Sequence, residues 1–480
     1  MSLRKKSLLA IVWNSAGGVT NIVITFLISV VLSRLLGPSE FGLLSLAMSF
    51  IALSEGMVVM GFHTSIIRHE HLEDIDISSI FILNLVLGAL FTVVFFVSAP
   101  WIAHWYGKEA LSPILKVLSF IFIINGSTLV HRAYMERNLN YKWLNIARVT
   151  ALIISGVIGI GMAYEGYGVW SLVFSTISVS IVSAIILWSK SGWRLSFKWN
   201  LKTIKAHWSF SLNVFGANLI GTVTSRLDVL LLGKFQTAST LGLFNRGKSL
   251  NDMGTRIPAQ FILKPLFSSL SKIQNDKANM QDKTQSIYRI ISFLFIPAFI
   301  FGIGFAPEVI RFLYGEKWMG TVPFLRVFLA IGILHIMRIP NNYILLARGK
   351  SNKVFRLELV LNVVRIVLIV LIAPIDIMAL LYALLFLKIA EYILYISQSS
   401  AEISADPVKM TLIWGQYLLM SVGVLLPLRW GLNTVTGIPL RLFMGLILFG
   451  GCYFIYHYYA RSKAWTLVKT FADDFRTARG

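Results

Sequence analysis

Charged side chains interrupt the apolar segments of the chain's second half, and most of them are cations. An ionised side chain at bilayer depth is costly, so it must face protein, water or a bound ligand. Because cations outnumber acids at these positions, an anionic group such as a pyrophosphate would be attracted to them. The cations predicted to contact such a group are Arg226, Arg246, Lys248, Arg256, Arg338, Arg365 and Lys388.

Acidic side chains in the apolar segments suggest a second kind of chemistry. A carboxylate inside a membrane can take up and release a proton as part of a transport cycle. The candidates for such ion coupling are Glu55, Asp228, Asp252 and Glu391, and their spacing favours none of them over the others.

Helical spacing brings several of these charges onto common faces. Lys248, Asp252 and Arg256 lie at i, i+4 and i+8, and Lys388 and Glu391 lie at i and i+3. Such neighbours either neutralise each other and only join helices, or line a wet interior together. Both interpretations stay open for these two sets.

Three arginines have no acid one helical turn away, apart from the longer spacing between Glu358 and Arg365. They are Arg226, Arg338 and Arg365, and we favour anion binding over a structural ion pair for them. Pro340-Asn341-Asn342 follows Arg338 and predicts a helix break with free backbone groups near a cavity.

Transmembrane helices must position these residues. Of 480 residues, 56% are hydrophobic and 14% are charged, so the solvent must be largely lipid. Apolar windows long enough to cross the bilayer core recur along nearly the whole chain. We predict an all-α membrane protein of about fourteen transmembrane helices. The predicted spans are 8–36, 39–63, 79–102, 112–134, 145–164, 167–189, 208–236, 239–270, 286–306, 321–347, 354–373, 376–399, 410–429 and 437–460.

The basic residues predict an orientation. Lys and Arg concentrate in the loops on the N-terminal side of the membrane, so both termini are expected in the cytoplasm of a multi-pass inner-membrane protein. Residues 191–207 form a basic connector whose Trp193 and Trp199 suit the headgroup region. The net charge of +22 therefore reflects topology and contact with membrane lipids, and no nucleic-acid partner is expected.

The chain contains an internal duplication. Leu36-Gly37 returns as Leu232-Gly233, and Tyr106-Gly107-Lys108 returns as Tyr314-Gly315-Glu316-Lys317. A repeat of six helices predicts two lobes of the same orientation that face one another across a cleft, which is a geometry for alternating access. The expected domains are an N-lobe at 1–190, the connector at 191–207, a C-lobe at 208–400, and two further helices with a basic cytoplasmic tail at 401–480.

Motifs for catalysis or metal binding are weak. Asp74-Ile75-Asp76 has the spacing with which nucleotide-sugar enzymes hold a metal ion, but it lies in a short loop between two predicted spans. No His or Cys pairing indicates a metal site, and no phosphate-binding glycine loop is present. We expect a protein that is not an enzyme and needs no cofactor or metal. A membrane glycosyltransferase or polymerase is the alternative from another class.

Four segments resemble one family of membrane proteins. The segments are Gly166–Val173, His131–Tyr141, Leu241–Arg246 and Leu313–Trp318. Together they are similar to the polysaccharide (Wzx-type) flippases of the multidrug/oligosaccharidyl-lipid/polysaccharide exporter superfamily. The resemblance extends through the twelfth predicted span. It matches Arg226 and Asp228 with a family motif at the end of the seventh span, and Arg246 with the Asn-Arg pair after Gly-Leu-Phe.

This resemblance implies a fold of two six-helix lobes plus two C-terminal helices. It also implies transport of an undecaprenyl-pyrophosphate-linked oligosaccharide for assembly of O-antigen, capsule or exopolysaccharide. The expected partners are this lipid-linked oligosaccharide, membrane lipids, and a polysaccharide polymerase with its chain-length machinery. The alternatives within the superfamily are a multidrug or cation antiporter, whose cargo favours an acidic interior, and a lipid II flippase.

Overall fold

The computed structural model describes residues 3–69, 73–196, 199–259, 264–460, 462–467 and 469. These residues form α-helices, with short 3-10 helices at Glu316–Trp318 and Leu432–Thr434 and no β-strand. The predicted all-α class is therefore confirmed. The α-helices are α1 (Leu3–Leu35), α2 (Pro38–Val59), α3 (Phe62–Arg68), α4 (Asp74–Tyr106), α5 (Leu111–Arg137), α6 (Tyr141–Tyr164), α7 (Val169–Lys190), α8 (Leu201–Phe235), α9 (Ala238–Pro258), α10 (Lys264–Lys272), α11 (Lys277–Gly304), α12 (Ala306–Tyr314), α13 (Thr321–Ala347), α14 (Ser351–Ile372), α15 (Ile377–Glu402), α16 (Pro407–Gly431) and α17 (Ile438–Tyr459).

Twelve helices of the described chain are long and apolar enough to cross a membrane. They are α1, α2, α4 to α8, α11, α13 and α15 to α17. The predicted count of about fourteen is not confirmed, because α9 and α14 carry more charges than such a segment usually tolerates. In α14 these charges include Arg356, Glu358 and Arg365.

The chain divides into two compact units, Met1–Gly242 and Leu243–Gly480. The predicted lobes at 1–190 and 208–400 stay a prediction. Parts of four predicted segments lie outside the described residues. These parts are 1–2 and 70–72 of the N-lobe, 197–198 of the connector, 260–263 of the eighth predicted span, and 461, 468 and 470–480 of the basic tail.

In the first unit, α4 and α5 pack through a close approach of their backbones. A Cβ atom on Gly88 would lie 2.7 Å from the carbonyl oxygen of Phe122, and one on Gly126 would lie 2.6 Å from the carbonyl oxygen of Asn84. Only glycine leaves room for this contact.

A second close approach in the first unit joins the N-termini of α2 and α9. A Cβ atom on Gly42 would lie 1.8 Å from the carbonyl oxygen of Ala238. Symmetrically, a Cβ atom on Gly242 would lie 1.8 Å from the carbonyl oxygen of Pro38. Equivalent positions of the two sequence repeats therefore contact each other through backbone atoms.

Two lysines connect the C-terminal ends of α4 and α8 reciprocally. Lys108 Nζ donates to the carbonyl oxygen of Gly233 at 2.6 Å, and Lys234 Nζ donates to the carbonyl oxygen of Trp105. Since helix C-termini carry partial negative charge, both lysines are placed favourably. Burial lowers the pKa of Lys108, and the neighbouring charge of Lys234 lowers it further.

In the second unit, α13 packs against α11, α14 and α15, and α16 and α17 attach to α11 and α12. The attachment includes ion pairs to the buried carboxylate of Glu308 on α12. Its Oε1 lies 2.5 Å from Arg429 Nη1 and 3.4 Å from Arg441 Nη1. The two C-terminal helices are therefore held by charge as well as by apolar packing.

Helix ends recur at matching positions of the predicted repeat. Gly107 and Gly315 follow the ends of α4 and α12 with φ values of 63° and 92°, and Tyr106 and Tyr314 before them are buried. A positive φ favours glycine, which explains why both copies have it there. These recurrences support the internal duplication.

Candidate functional site

An ion-pair network joins three helices of the second unit. Arg338 on α13 donates through Nη1 to Glu358 Oε1 on α14 at 2.7 Å. The Nε atom of Arg338 lies 2.8 Å from Glu391 Oε1 on α15. Lys388 Nζ lies 2.7 Å from Glu391 Oε2, so the two residues predicted at i and i+3 do pair. Two cations and two carboxylates balance one another in this network.

Aromatic packing encloses the guanidinium of Arg338. Tyr395 is buried, its hydroxyl donates to Glu358 Oε1 at 3.0 Å, and its ring centre lies 4.7 Å from the Cζ atom of Arg338. The Arg338 side chain is only 12% exposed. The expectation that Arg338 lacks an acidic partner is therefore wrong, because its partners come from α14 and α15 and not from its own helix.

Arg365 on α14 adds a further cation beside this network. It is partly exposed and lies close enough to Lys388 for the two charges to interact. The group then brings three cations together, Arg338, Arg365 and Lys388, beside the carboxylates of Glu358 and Glu391. Clustered cations of this kind would attract an anion.

The predicted helix break after Arg338 does not occur, because α13 continues through Pro340 to Ala347. Asn341 is buried, and its Nδ2 donates to Tyr288 Oη at 2.6 Å and to the carbonyl oxygen of Met337 at 3.2 Å. The Tyr288 hydroxyl donates to the same carbonyl oxygen at 3.0 Å. Side chains thus satisfy a carbonyl group near the proline, and the helix persists.

Arg246 on α9 packs against two aromatic rings. Its Cζ atom lies 5.0 Å from the ring centre of Tyr314 and 5.2 Å from that of Trp318. Cation–π contacts of this kind stabilise a buried guanidinium, and Arg246 is only 7% exposed. This environment supports a packing role, and its contact with an anion stays a prediction.

The other predicted residues of the second half lie on α8 and α9. On α9, Lys248 and Asp252 are partly buried and Arg256 is exposed. On α8, Arg226 is exposed and Asp228 is buried. Their roles in anion binding and ion coupling stay predictions. Among the predicted residues, the structure brings Arg338, Arg365, Lys388 and Glu391 together.

Glu55 of the first unit is connected to α5. Its Oε1 accepts a hydrogen bond from Asn125 Nδ2 at 2.7 Å, and its charge interacts with that of Arg132. The candidate for ion coupling in the first half therefore lies near Arg132, which is not among the predicted site residues.

That arginine lines a polar cavity of the first unit. The cavity has a volume of about 60 Å³ and is formed by α1, α5, α6 and α7. Its polar walls include Asn14, Arg132, Glu136, Tyr141, Asn145 and Arg148. One signal in the sequence points to it: Arg132 and Glu136 lie at i and i+4 within the family-like segment His131–Tyr141.

Comparison with known proteins gives matches in sequence. Residues 31–323 match the model of a family described as polysaccharide biosynthesis protein. The teichuronic acid biosynthesis protein TuaB of Bacillus subtilis is 23% identical over 299 residues, which are 62% of each chain. The lipopolysaccharide biosynthesis protein WzxC of Escherichia coli is 21% identical over 74% of this chain and 73% of its own length. The succinoglycan biosynthesis transport protein ExoT of Rhizobium meliloti is 20% identical over 63% of this chain and 62% of its own. The chain thus aligns with less than two thirds of TuaB and of ExoT.

Solved structures match over most of the chain. The lipid II flippase MurJ in an inward closed conformation has a TM-score of 0.71 at 14% identity, covering 94% of this chain and all of the other. A multidrug resistance MATE family transporter in an inward-facing conformation has a TM-score of 0.60 at 14% identity, covering 84% and 98%. At these identities the likeness establishes the fold.

Proposed function

Because the chain belongs to the polysaccharide biosynthesis protein family, we propose that it is a flippase for an undecaprenyl-pyrophosphate-linked oligosaccharide. It moves this lipid across the inner membrane by alternating access, for assembly of O-antigen, capsule or exopolysaccharide. The names of TuaB, WzxC and ExoT, which refer to the biosynthesis of three different polysaccharides, support a polysaccharide precursor as the cargo.

A cluster of cations in the second unit carries this proposal. Arg338, Arg365 and Lys388 lie close together on α13, α14 and α15, beside the carboxylates of Glu358 and Glu391. The pyrophosphate of the cargo is an anion that such a cluster would attract. Arg365 is partly exposed, so a ligand can reach it.

An apolar groove in the second unit suits the isoprenoid tail of this cargo. The groove has a volume of about 760 Å³ and lies between α11, α13, α15 and α16. Ile389 and Ile393 on α15 line it and are 37% and 55% exposed. The same helix carries Lys388 and Glu391, so one helix offers an apolar face to the tail and a charged face to the headgroup.

The proposed location is the inner membrane, with both termini in the cytoplasm, as the distribution of Lys and Arg indicates. From there the cargo is taken up at the cytoplasmic leaflet and released at the outer one. A polysaccharide polymerase with its chain-length machinery then receives the product.

Two alternatives have less support. A multidrug or cation antiporter favours an acidic interior, whereas Arg338, Arg365 and Lys388 bring three cations together in the second unit. A lipid II flippase has the same fold, as the likeness to MurJ indicates. The relatives by sequence nevertheless have names from polysaccharide biosynthesis.

The test is leaflet-resolved translocation of a fluorescent undecaprenyl-pyrophosphate oligosaccharide in proteoliposomes, under a proton or a sodium gradient. Wild type is compared with Arg365→Ala, Arg226→Ala and the control Lys142→Ala. We expect wild type and the control to move the lipid, and Arg365→Ala to lose at least about tenfold in rate, because a charge-assisted contact to the pyrophosphate is removed.

Three outcomes would contradict the proposal or a part of it. If well-folded wild type leaves the lipid in place but exports a soluble cationic dye, the antiporter is the better description. If wild type moves lipid II and does not move the polysaccharide precursor, the protein is a lipid flippase but the proposed cargo is wrong. Equal rates for wild type and Arg365→Ala would exclude the second-unit arginine as a headgroup contact.

A further inference from the structure

We infer that the first unit holds a second phosphate-binding site, formed by Arg132 of α5 and Arg148 of α6. Its ligand is the phosphate of a lipid headgroup, supplied either by the pyrophosphate of the cargo or by an anionic phospholipid. The first of these two sources rests on the proposed function, and the second does not. The predicted anion-binding residues all lie elsewhere in the chain.

The two arginines line the polar cavity of about 60 Å³ together with several hydrogen-bonding groups. Tyr141 and Ser183 contribute hydroxyls to its wall, and Asn14 contributes an amide. A space of this size admits a few water molecules or one phosphate group. Guanidinium groups match phosphate oxygens in geometry as well as in charge, so a pair of them on one wall is suited to this ligand.

The electrostatics of the cavity favour a bound anion. The charges of Arg132 and Arg148 interact unfavourably with each other, and Glu136 is the carboxylate that interacts with both. Within the cavity wall two cations face one carboxylate, and Glu55, which lies outside the wall, also attracts Arg132. A phosphate between the arginines would relieve their mutual repulsion.

The neighbouring carboxylates are engaged elsewhere. Glu136 Oε2 lies 3.5 Å from His63 Nε2, and Glu55 Oε1 accepts from Asn125 Nδ2. In the part of the chain that the structure describes, neither Arg132 nor Arg148 has a carboxylate oxygen within the 4.0 Å of an ion pair. The donors of both guanidinium groups are therefore available to a ligand that enters the cavity.

Asn145 fixes the wall of the cavity. Its Nδ2 donates to the carbonyl oxygens of Trp13 on α1 at 3.0 Å and of Tyr141 on α6 at 2.9 Å. Gly17 makes room for this contact, since a Cβ atom there would lie 2.0 Å from Asn145 Oδ1. The two helices are thus held together beside the arginines, and the site is formed before a ligand arrives.

The test measures ligand binding through a single thiol placed in the wall of this cavity. Ser183→Cys in a Cys452→Ser background places the single thiol in the cavity wall of the full-length protein. We measure how farnesyl pyrophosphate or dioctanoyl-phosphatidylglycerol slows the reaction of this thiol with a small methanethiosulfonate. The half-protecting concentration is then compared after Arg132→Gln, Arg148→Gln, Glu136→Gln and the exposed control Lys142→Gln.

We expect each arginine variant to raise the half-protecting concentration at least about tenfold, as the loss of a charged hydrogen bond predicts. Lys142→Gln should change it less than about twofold, and Glu136→Gln should lower it, because a repelling carboxylate is removed. The half-protecting concentration of Arg132→Lys should lie between those of wild type and Arg132→Gln, which a merely structural role of Arg132 would not produce. Stronger protection by farnesyl pyrophosphate identifies the cargo as the source, and stronger protection by phosphatidylglycerol identifies a phospholipid.

The inference is overturned if neither probe protects the thiol of folded protein. It is also overturned if Lys142→Gln raises the half-protecting concentration as much as the arginine variants do. The phosphate site is wrong but the proposed function stands if wild type translocates the lipid-linked oligosaccharide while neither arginine affects the protection of the thiol. The proposed function is wrong but the phosphate site stands if phosphatidylglycerol protects the thiol in a way that depends on both arginines, while wild type does not translocate the lipid-linked oligosaccharide.

Discussion

Arg338 is stabilised by carboxylates that two other helices supply. Its side chain and that of Glu391 are each 12% exposed, so both charges have lost most of their contact with solvent. In such surroundings the pairing of charges roughly compensates for the cost of their burial, but removal of one partner leaves the other uncompensated. The network therefore makes the association of α13, α14 and α15 sensitive to each single charge.

This sensitivity gives a prediction about stability. Arg338→Met should lower the free energy of unfolding by about 3 kcal/mol, because Glu358 and Glu391 then lose the cation that pairs with both. Adding Glu358→Gln should restore more than half of this loss, because Lys388 and Glu391 then balance again. The measurement is unfolding in mixed detergent and SDS micelles, analysed as a double-mutant cycle.

The control for this prediction is Arg356→Met, which removes an exposed arginine of α14. It should change the unfolding free energy by less than about 0.5 kcal/mol. If Arg338→Met and Arg356→Met have equal effects, the network is not a stabilising contact. Additive effects of Arg338→Met and Glu358→Gln would lead to the same conclusion.

Sequence reasoning recovers charge pairs within one helix and misses those between helices. Lys388 and Glu391 are three residues apart, so the helical period is enough to predict their contact. Glu358 has the period that would place it beside Arg365, yet its carboxylate binds Arg338, twenty residues before it. Arg132 and Arg148 likewise meet only because α5 and α6 pack together, which a single sequence does not state.

At the scale of helices, α2 and α9 contact through backbone atoms at Gly42 and Gly242. Neither position has a positive φ, so the requirement for glycine comes from space alone. A backbone carbonyl cannot move aside as a flexible side chain can. Any added carbon therefore separates the two helices at their N-termini.

We predict opposite effects of one substitution at two helical glycines. Gly42→Ala should lower the free energy of unfolding by more than about 2 kcal/mol, because its Cβ meets the carbonyl oxygen of Ala238. Gly161→Ala on α6 has nothing within 4 Å and should stabilise the protein by up to about 1 kcal/mol through helix propensity. Both variants are measured by unfolding in mixed detergent and SDS micelles. A neutral Gly42→Ala would mean that the two helices do not make this contact in the membrane protein as purified.

Helix boundaries are predicted better than helix continuity. The tenth predicted span, 321–347, coincides with α13 because apolar periodicity and the bounding loops are local features. The helix nevertheless continues through Pro340, and Tyr288 from α11 and Asn341 bind the carbonyl oxygen of Met337 beside it, so the local breaker signal misleads. Short helices such as α3 and α12 are missed because seven or nine residues carry too little periodicity.

At the scale of the whole molecule, α9 decides the orientation of the residues that follow it. Seven helices before it meet the criteria for crossing. If α9 crosses as well, the basic loop with Lys272 and Lys277 lies on the cytoplasmic side, as the positive-inside rule favours. The location of the termini does not distinguish twelve crossings from fourteen, because α9 and α14 together change the number of crossings by two.

Burial supports the crossing of α9 despite its charges. Arg246, Asn251 and Thr255 are each 7% exposed, so protein covers these three polar side chains. A charged helix inside a bundle can cross at bilayer depth when its polar side chains are covered. We therefore predict that α9 crosses the membrane, although its composition alone does not indicate a span.

Cysteine labelling tests this orientation. Asn275→Cys in a Cys452→Ser background places one thiol in the exposed loop after α10, and Glu109→Cys places one in the exposed loop between α4 and α5. In intact spheroplasts a membrane-impermeant maleimide should label Glu109→Cys and spare Asn275→Cys, and permeabilised cells should show both labelled. Labelling of Asn275→Cys in intact spheroplasts would mean that α9 stays on one side. The segment from α11 to α13 would then be inverted, and its arginine-rich end near Arg348 would face outward against the charge rule.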